Sequence, residues 1–339
     1  MKKLLIVGVL FLCIVSCKNK KQEEVKIENS EYTELQKTAN AMFGKLPEQA
    51  ENPANPITKE KVFLGKKLYF DTMLSKDNTQ SCNTCHNIET YGVDNLSTSP
   101  GNDGGFGSRN SPTVFNAALH VAQFWDGREP DVEAQAGGPM LNPVEMAMPS
   151  EKEVIKRLSA VDEYTKLFSE AFPDEKNPIS FQNIQKAIGA FERTLITPSK
   201  FDDFLDGDLE ALTDTEKEGL QLFISKGCIA CHSGKTLGGN IFQKFGIYDD
   251  YWKHTNSKKI DEGKFEVTKN EADKYIFKSP SLRNVAKTYP YFHDGSVTDL
   301  KEAVSIMAKI QLNKDLTDTE LNALVAFLNS LTGELPKSS

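Results

Sequence analysis

The chain runs to 339 residues, with 48 acidic against 40 basic side chains, a net charge of −8 and 39% hydrophobic residues. This is a globular composition, long enough for two ordinary domains. Its acidic balance argues against nucleic acid as a partner and suits a basic one, and no stretch after residue 16 is apolar enough to cross a bilayer.

Met1-Lys2-Lys3 is a short basic start, and Leu4 to Val15 is an apolar run of signal-peptide length, too short to span a membrane. Ile14-Val15-Ser16-Cys17 reads as a lipobox with cleavage before Cys17. It predicts a signal peptide over residues 1–16 and a lipid-modified Cys17. Several acyl chains, at about 0.8 kcal/mol per buried methylene, anchor firmly. The alternative is an ordinary signal peptide cut elsewhere, with Cys13 and Cys17 discarded. Loss of Lys2 and Lys3 moves the net charge from −8 to about −10. Residues 17–40 are read as a flexible tether, polar and charged over 18–35. The expected location is the periplasm or cell envelope, with the membrane touched only through the anchor.

Apolar spacing predicts a helix from Ile57 to Phe70, followed closely by Cys82-Asn83-Thr84-Cys85-His86. This C-x-x-C-H run is the attachment signal for c-type haem: two thioether bonds to the porphyrin, then His86 as proximal iron ligand. Tyr91–Asn110, rich in Gly, Ser and Asn, reads as loop. Glu151–Ser159 and Phe181–Leu195 carry helical periodicity, and a domain boundary is placed near Thr197–Lys200. A second helix, Leu212 to Phe223, opens with the capping box Thr213-x-x-Glu216. It leads into a second run, Cys228-Ile229-Ala230-Cys231-His232. The two preceding helices align at Gly65 with Gly219, Leu68 with Leu222 and Tyr69 with Phe223, where the small residue lets another helix cross closely. The two runs use every cysteine after residue 17. They lie too far apart for a four-cysteine zinc site, which would also leave both histidines unexplained.

Met307 falls in an apolar helical stripe from Leu300, where burial in the core is the plainer reading. A last helix begins at the capping box Thr317-x-x-Glu320, carries Leu321, Leu324, Leu328 and Leu331 on one face, and has Gly333 placed for a C-cap. It is expected to pack on the Gly219 helix. The fold class is therefore all-α: two tandem cytochrome c-like domains with long loops, over residues 41–198 and 199–336, each carrying one covalently bound haem c.

From about Asn55 to Thr332 the sequence resembles the bacterial dihaem cytochrome c peroxidases, the family to which MauG is related. The matching strings are Leu64-Gly-Lys-Lys-Leu-Tyr-Phe-Asp71, Ser81-Cys-Asn-Thr-Cys-His86, Arg109-Asn-Ser-Pro-Thr-Val114 and Ala122-Gln-Phe-Trp-Asp-Gly-Arg128. Further along are Asn142-Pro-Val-Glu-Met146, Ser281-Leu-Arg-Asn-Val-Ala286 and Tyr289-Pro-Tyr-Phe-His-Asp-Gly-Ser296. The resemblance implies a low-potential peroxidatic haem on Cys82, Cys85 and His86, and a high-potential haem on Cys228, Cys231 and His232 with Met307 as second axial ligand. It implies Glu145 as the distal carboxylate, Gln135 as its partner and Trp125 as the relay between the haems. It also implies a Ca²⁺ site from Asn110 and the carbonyls of Thr288 and Pro290, and a structural or propionate-contacting His293. The substrates would be hydrogen peroxide and a small electron-donor protein, a cytochrome c or a cupredoxin; a homodimer is open.

One position departs from the family. Where many members carry a loop histidine that caps the oxidised peroxidatic iron, this chain has Asn102. An amide is a poor iron ligand, so the site is expected open without reductive activation. His120 is the nearest alternative ligand in sequence, and His254 is expected to be solvated. Two other functions stay open: a MauG-like dihaem oxidase acting on a protein or other substrate, which uses a tyrosine where Met307 stands, and a non-enzymatic dihaem electron carrier.

Overall fold

A computed structural model describes residues 31–336. The signal peptide over 1–16, the lipid anchor at Cys17 and the start of the tether fall outside the described residues. Residues 31–42 are helical (α1), so the stretch 31–40 read above as the end of that tether is ordered structure. Leu35, Ala39 and Phe43 repeat at i, i+4, i+8 and are buried. They face the second domain rather than the first: Phe43 lies 5.7 Å from Phe201 and 6.2 Å from Phe223, ring to ring. Burial of this narrow stripe holds α1 in place, and Glu31, Glu34 and Lys37 lie on the exposed face.

The first cytochrome c-like domain is built on α2 (Lys59–Phe70) and α7 (Phe181–Glu192), with α3 (Cys82–Cys85), α4 (Val132–Leu141), α5 (Glu151–Ser159) and α6 (Asp162–Ala171) around them. The second is built on α9 (Asp214–Lys226) and α12 (Asp318–Ser330), with α8 (Lys200–Leu205), α10 (Phe265–Thr268) and α11 (Leu300–Leu312). Each defining pair crosses at a glycine. A Cβ on Gly65 would lie 1.9 Å from the Ala187 carbonyl oxygen, and one on Gly219 would lie 2.0 Å from that of Ala323. The next neighbours are Phe191 and Phe327, four residues further along each crossing helix. The internal repeat therefore extends to the atoms at the crossing. Both expected capping boxes form, with Thr213 and Glu216 opening α9 and Thr317 and Glu320 opening α12.

Sheet structure among the described residues is one antiparallel ribbon, β1 (Phe242–Lys244) with β2 (Ile276–Lys278), in the register Phe242↔Lys278, Gln243↔Phe277 and Lys244↔Ile276. It closes the base of a long insertion that includes Tyr251 and Trp252.

Gly333 does not cap the last helix. Leu331 is the capping residue, in ordinary backbone geometry at φ −82°. Gly333 instead lets the chain pass the linker, because a Cβ there would lie 2.2 Å from the Thr197 carbonyl oxygen. A buried polar chain ties the same place together: Asn116 Nδ2 and Asn284 Nδ2 both donate to Thr197 Oγ1, at 2.8 and 2.9 Å, and the Gly333 N–H donates to Asn284 Oδ1 at 2.9 Å.

Nearby, Arg283 grips Asp202 with Nη1 to Oδ2 at 2.6 Å and Nη2 to Oδ1 at 3.0 Å, and the two residues are 1% and 2% exposed. Removing one partner strands a buried charge, which costs about 3–5 kcal/mol. Arg283→Met is expected to lose that much in denaturant unfolding; a loss below about 1 kcal/mol would mean Asp202 finds another partner or takes up a proton.

Candidate active site

The second C-x-x-C-H run starts where α9 stops. Gly227, at φ 97°, turns the chain in the left-handed region that favours glycine and sends it straight into Cys228. The His232 N–H bonds back to Cys228 O at 3.1 Å, and its Nδ1 meets Leu237 O at 3.2 Å, which leaves Nε2 as the nitrogen for a ligand. Cys228, Cys231, His232 and Met307 line one cavity, walled by apolar side chains such as Phe223, Leu282 and Val304. Helix α11 thus has two faces: Ile306 and Ile310 enter a small core cluster, and Met307 faces the cavity.

The first run lies on α3, where Thr84 Oγ1 accepts from the Ser81 N–H at 3.0 Å. The His86 N–H donates to Cys82 O at 3.0 Å, and the Tyr69 hydroxyl of α2 donates to His86 O at 2.6 Å, so the helix crossing positions the histidine. Its cavity differs in chemistry. Alongside Cys82, Cys85 and His86 it is lined by Gln135 of α4, by Glu145, and by Arg109, Asp126, Arg128 and Glu192. Among the described residues no second histidine and no thioether placed like Met307 faces His86; Met146 lines the wall but is packed into the domain core.

Glu145 is fixed by Asn142 Nδ2, which donates to its Oε1 at 2.8 Å. Burial raises its pKa, against the opposing pull of Asn142 and Arg128. Asn102 takes no part in the cavity. Its Nδ2 donates to Asp77 Oδ2 at 2.8 Å, its Oδ1 accepts from the Asp77 N–H at 3.2 Å, and its own N–H donates to Glu145 O at 2.7 Å.

Trp125 alone lines both cavities. Its indole N–H donates to Asn110 O at 2.9 Å, and its backbone O accepts from Lys278 N–H at 2.8 Å. Asn110 in turn donates its Nδ2 to Leu96 O at 2.9 Å and its N–H to His293 O at 2.7 Å. His293 is buried, lines the second cavity and leaves Nε2 without a hydrogen-bond partner. Thr288 and Pro290 flank Tyr289, whose carbonyl accepts from Asn95 Nδ2 at 2.8 Å. His120 lines neither cavity. It is boxed in by Gly239, where a Cβ would lie 2.2 Å from its ring, and Lys278 Nζ sits 3.4 Å from its Nδ1. His254 pairs with Asp249 at 2.9 Å on the polar insertion.

Both cavities fit a covalently attached haem. The four cysteines are unpaired. Each pair of thiols shares a cavity wall with its histidine, the arrangement thioether attachment needs, and burial pushes Cys82 up to about 12 and both Cys85 and Cys228 to about 11. Burial lowers both histidines, keeping each imidazole neutral with a lone pair to offer. The backbone of Pro112 and Gly92 lies against the His86 ring and orients it. Among the described residues no cluster of three or more His, Cys, Asp or Glu forms a conventional metal site.

The family profile "Di-haem cytochrome c peroxidase" matches residues 59–210, and that of "Cytochrome c" matches residues 216–332. The chain is 46% identical over 308 residues to cytochrome c551 peroxidase of Pseudomonas aeruginosa, covering 89% of this chain and 88% of that one. The chain belongs to the di-haem cytochrome c peroxidase family. Cytochrome c551 peroxidase of Nitrosomonas europaea is 42% identical, with 88% of each chain covered, and the methylamine utilization protein MauG of Methylorubrum extorquens is 37% identical, with 85% and 83% covered. Among solved structures, a MauG-like protein associated with microbial copper homeostasis superposes with a TM-score of 0.76 at 30% identity, over 86% of this chain and 95% of that one. Like these di-haem relatives, the chain has two haem c positions, one per C-x-x-C-H cavity.

Sequence reasoning missed the charged lining of the first cavity. Arg109 and Arg128 lie inside the family-matching strings, and both pair with buried Asp126, at 2.5 and 2.9 Å. Arg109 also reaches Asp261 in the second domain, at 2.6 Å. Glu192, pushed up to about 8 by burial, ends α7 with no local signal of its function.

Proposed function

We propose that the protein reduces hydrogen peroxide to water, H₂O₂ + 2 e⁻ + 2 H⁺ → 2 H₂O, using electrons from a small redox protein, a cytochrome c or a cupredoxin. The observation that carries this reading is the asymmetry of the two cavities. One offers His232 and Met307 in an apolar wall; the other offers His86 alone with a half-buried carboxylate, Glu145, beside it. The first arrangement suits electron transfer and the second suits binding and cleaving a small ligand. When bound, the haems supply the electrons and a coordination position for peroxide.

The chain's own residues then handle protons and positioning. Glu145 takes the proton from the nearer peroxide oxygen and returns it to the farther one, first as base and then as acid. Asn142 holds one of its oxygens, so the other faces the reactant. Gln135 orients the peroxide or a water by hydrogen bonding. Trp125, common to both cavities, serves as the relay between the second site and the first. Asn102, held by Asp77, leaves the first site open, so no reductive activation is needed. Met307, where the MauG alternative would have a tyrosine, supports a high-potential second centre.

Asn110 with the carbonyls of Thr288 and Pro290 is part of the same proposal, as a Ca²⁺ site of neutral oxygens completed by water. Its support is that Asn110 Nδ2 donates to Leu96 O, which fixes the amide with Oδ1 available to a cation, and that the Asn110 carbonyl accepts from the Trp125 indole. Export to the cell envelope, the anchor at Cys17 and the roles given to His293 belong here too. Among the described residues no helix is long and apolar enough to cross a membrane.

Steady-state turnover of peroxide with reduced cytochrome c tests the reaction, and electron paramagnetic resonance of the fully ferric protein tests the open site. A high-spin signal beside a low-spin one is expected; two low-spin signals would overturn the claim that Asn102 leaves the iron free. Met307→His is expected to lower the potential of the second centre alone, read by potentiometric titration, and to slow turnover. A potential that does not move would remove Met307 from the ligand set.

A further inference from the structure

The protein has two tryptophans. One is Trp125, at the wall between the cavities. The other is Trp252, part-exposed on the insertion that β1 and β2 close. An unbroken series of rings joins them. Trp125 and His293 have ring centroids 6.4 Å apart, His293 and Tyr251 5.1 Å, and Tyr251 and Trp252 5.0 Å. Phe277 stacks on His293 at 4.5 Å and Phe245 on Tyr251 at 4.8 Å, so the series is packed on its flanks.

We propose that Tyr251 and Trp252 form a discharge route that carries oxidising equivalents from the peroxide site to the surface when the electron donor is absent, with Trp252 as the residue finally oxidised. The inference rests on the peroxidase reading above and adds a second fate for the same oxidising power.

Direction follows from the ring chemistry. Indole and phenol rings give up an electron to a strong oxidant but do not accept one from a biological donor. The series therefore cannot bring electrons in from a small redox protein by way of reduced rings. It conducts only while an oxidant formed from peroxide stands at the cavity.

The terminus follows from proton acceptors. Tyr251 is fully buried, and its hydroxyl is held by the backbone of Asp261: it donates to the carbonyl at 3.1 Å and accepts from the N–H at 2.7 Å. A carbonyl is no base, so an oxidised Tyr251 cannot shed its proton and passes the deficit on. Trp252 reaches solvent, where water takes the indole proton. Two such one-electron losses end in addition of water: Trp252–H + H₂O → Trp252–OH + 2 e⁻ + 2 H⁺. An indole C–H bond is replaced by C–O, and the electrons and protons complete the cleavage of one peroxide. The sum is Trp252–H + H₂O₂ → Trp252–OH + H₂O, with the new oxygen drawn from water.

That origin of oxygen makes the test. The holoenzyme is treated anaerobically with ordinary peroxide in heavy-oxygen water, without donor, and the peptide containing Trp252 is weighed. One heavy oxygen on Trp252 is expected, suppressed when reduced cytochrome c is present. In Tyr251→Phe the labelling should drop several-fold. Trp252→Phe should keep the wild-type turnover rate with donor but lose activity several-fold faster in peroxide alone. If turnover is intact yet Trp252 stays unmodified, or carries oxygen from peroxide, or is labelled equally in Tyr251→Phe, the route does not exist. If no turnover occurs even with donor, it is the peroxidase reading that falls, and the route falls with it.

Discussion

Glu145→Gln slows peroxide turnover by about 10²–10⁴-fold, the range of a lost general acid–base, without changing the haem content or the ferric spectra. The glutamine keeps the size of the side chain and its contact with Asn142, so the cavity stays shaped as it is; what goes is the ability to hold a proton between the two oxygens. The wild-type pH profile carries a second signature. Glu145 must begin the cycle ionised to take the peroxide proton, and burial raises its pKa above the ordinary glutamate value of about 4.3. Activity therefore falls as pH drops through a value above that, and is retained at higher pH. In Glu145→Gln this acid limb disappears. Asn142→Ala removes a hydrogen bond that favours the carboxylate, so the limb moves to higher pH while the maximal rate suffers less. Stopped-flow and steady-state rates across pH check both. An unchanged acid limb in Glu145→Gln would hand the proton transfer to another group, and Glu192, the other high-pKa carboxylate of the same cavity, would be first in line.

Much of this site was legible because its chemistry is local. The C-x-x-C-H strings carry both thiols and the histidine within five residues, and the capping boxes of α9 and α12 lie within four. Gly65 and Gly219 stood out by aligning with one another. What stayed hidden depends on partners far along the chain. Helix α1 and the Phe43 that follows it show a sparse apolar spacing among mostly polar residues, and nothing nearby says that Phe201 and Phe223 wait to cover them. Arg283 and Asp202 are 81 residues apart, and neither has a local signal for a buried pair. Gly333 looked like a helix cap because caps are the common use of a glycine there; its real constraint is the Thr197 carbonyl, visible only once the linker is folded back. Met307 is the instructive middle case. Its spacing fits a core stripe, and the stripe is real in Ile306 and Ile310, yet the helix has a second face and Met307 is on it. A period can reveal that a residue is turned inward without saying whether it meets core or cofactor.

Gly65→Ala and Gly219→Ala are each expected to destabilise their own domain by about 3 kcal/mol or more. Helix propensity alone predicts the opposite, a gain of about 1 kcal/mol for Ala over Gly inside a helix, so the sign separates the two effects. The added methyl would meet a backbone carbonyl at 1.9 Å in one case and 2.0 Å in the other. A backbone cannot rotate out of the way as a side chain can, so the crossing helices must part, and the rows of buried side chains on both lose contact together. Gly105, where an added methyl would have nothing within 4 Å, supplies the neutral control. The damage should also be local. Parting α2 from α7 displaces Tyr69, whose hydroxyl holds the His86 carbonyl, so Gly65→Ala should disturb the first haem and peroxide turnover. Parting α9 from α12 displaces Phe223 in the wall of the second cavity, so Gly219→Ala should disturb the potential of the second haem. Denaturant unfolding with the two haem signals followed separately reads both outcomes. Equal loss at both haems from either substitution would mean that the two crossings do not support their sites independently, and that the buried chain through Asn116, Thr197 and Asn284 couples the domains more tightly than either helix pair holds its own.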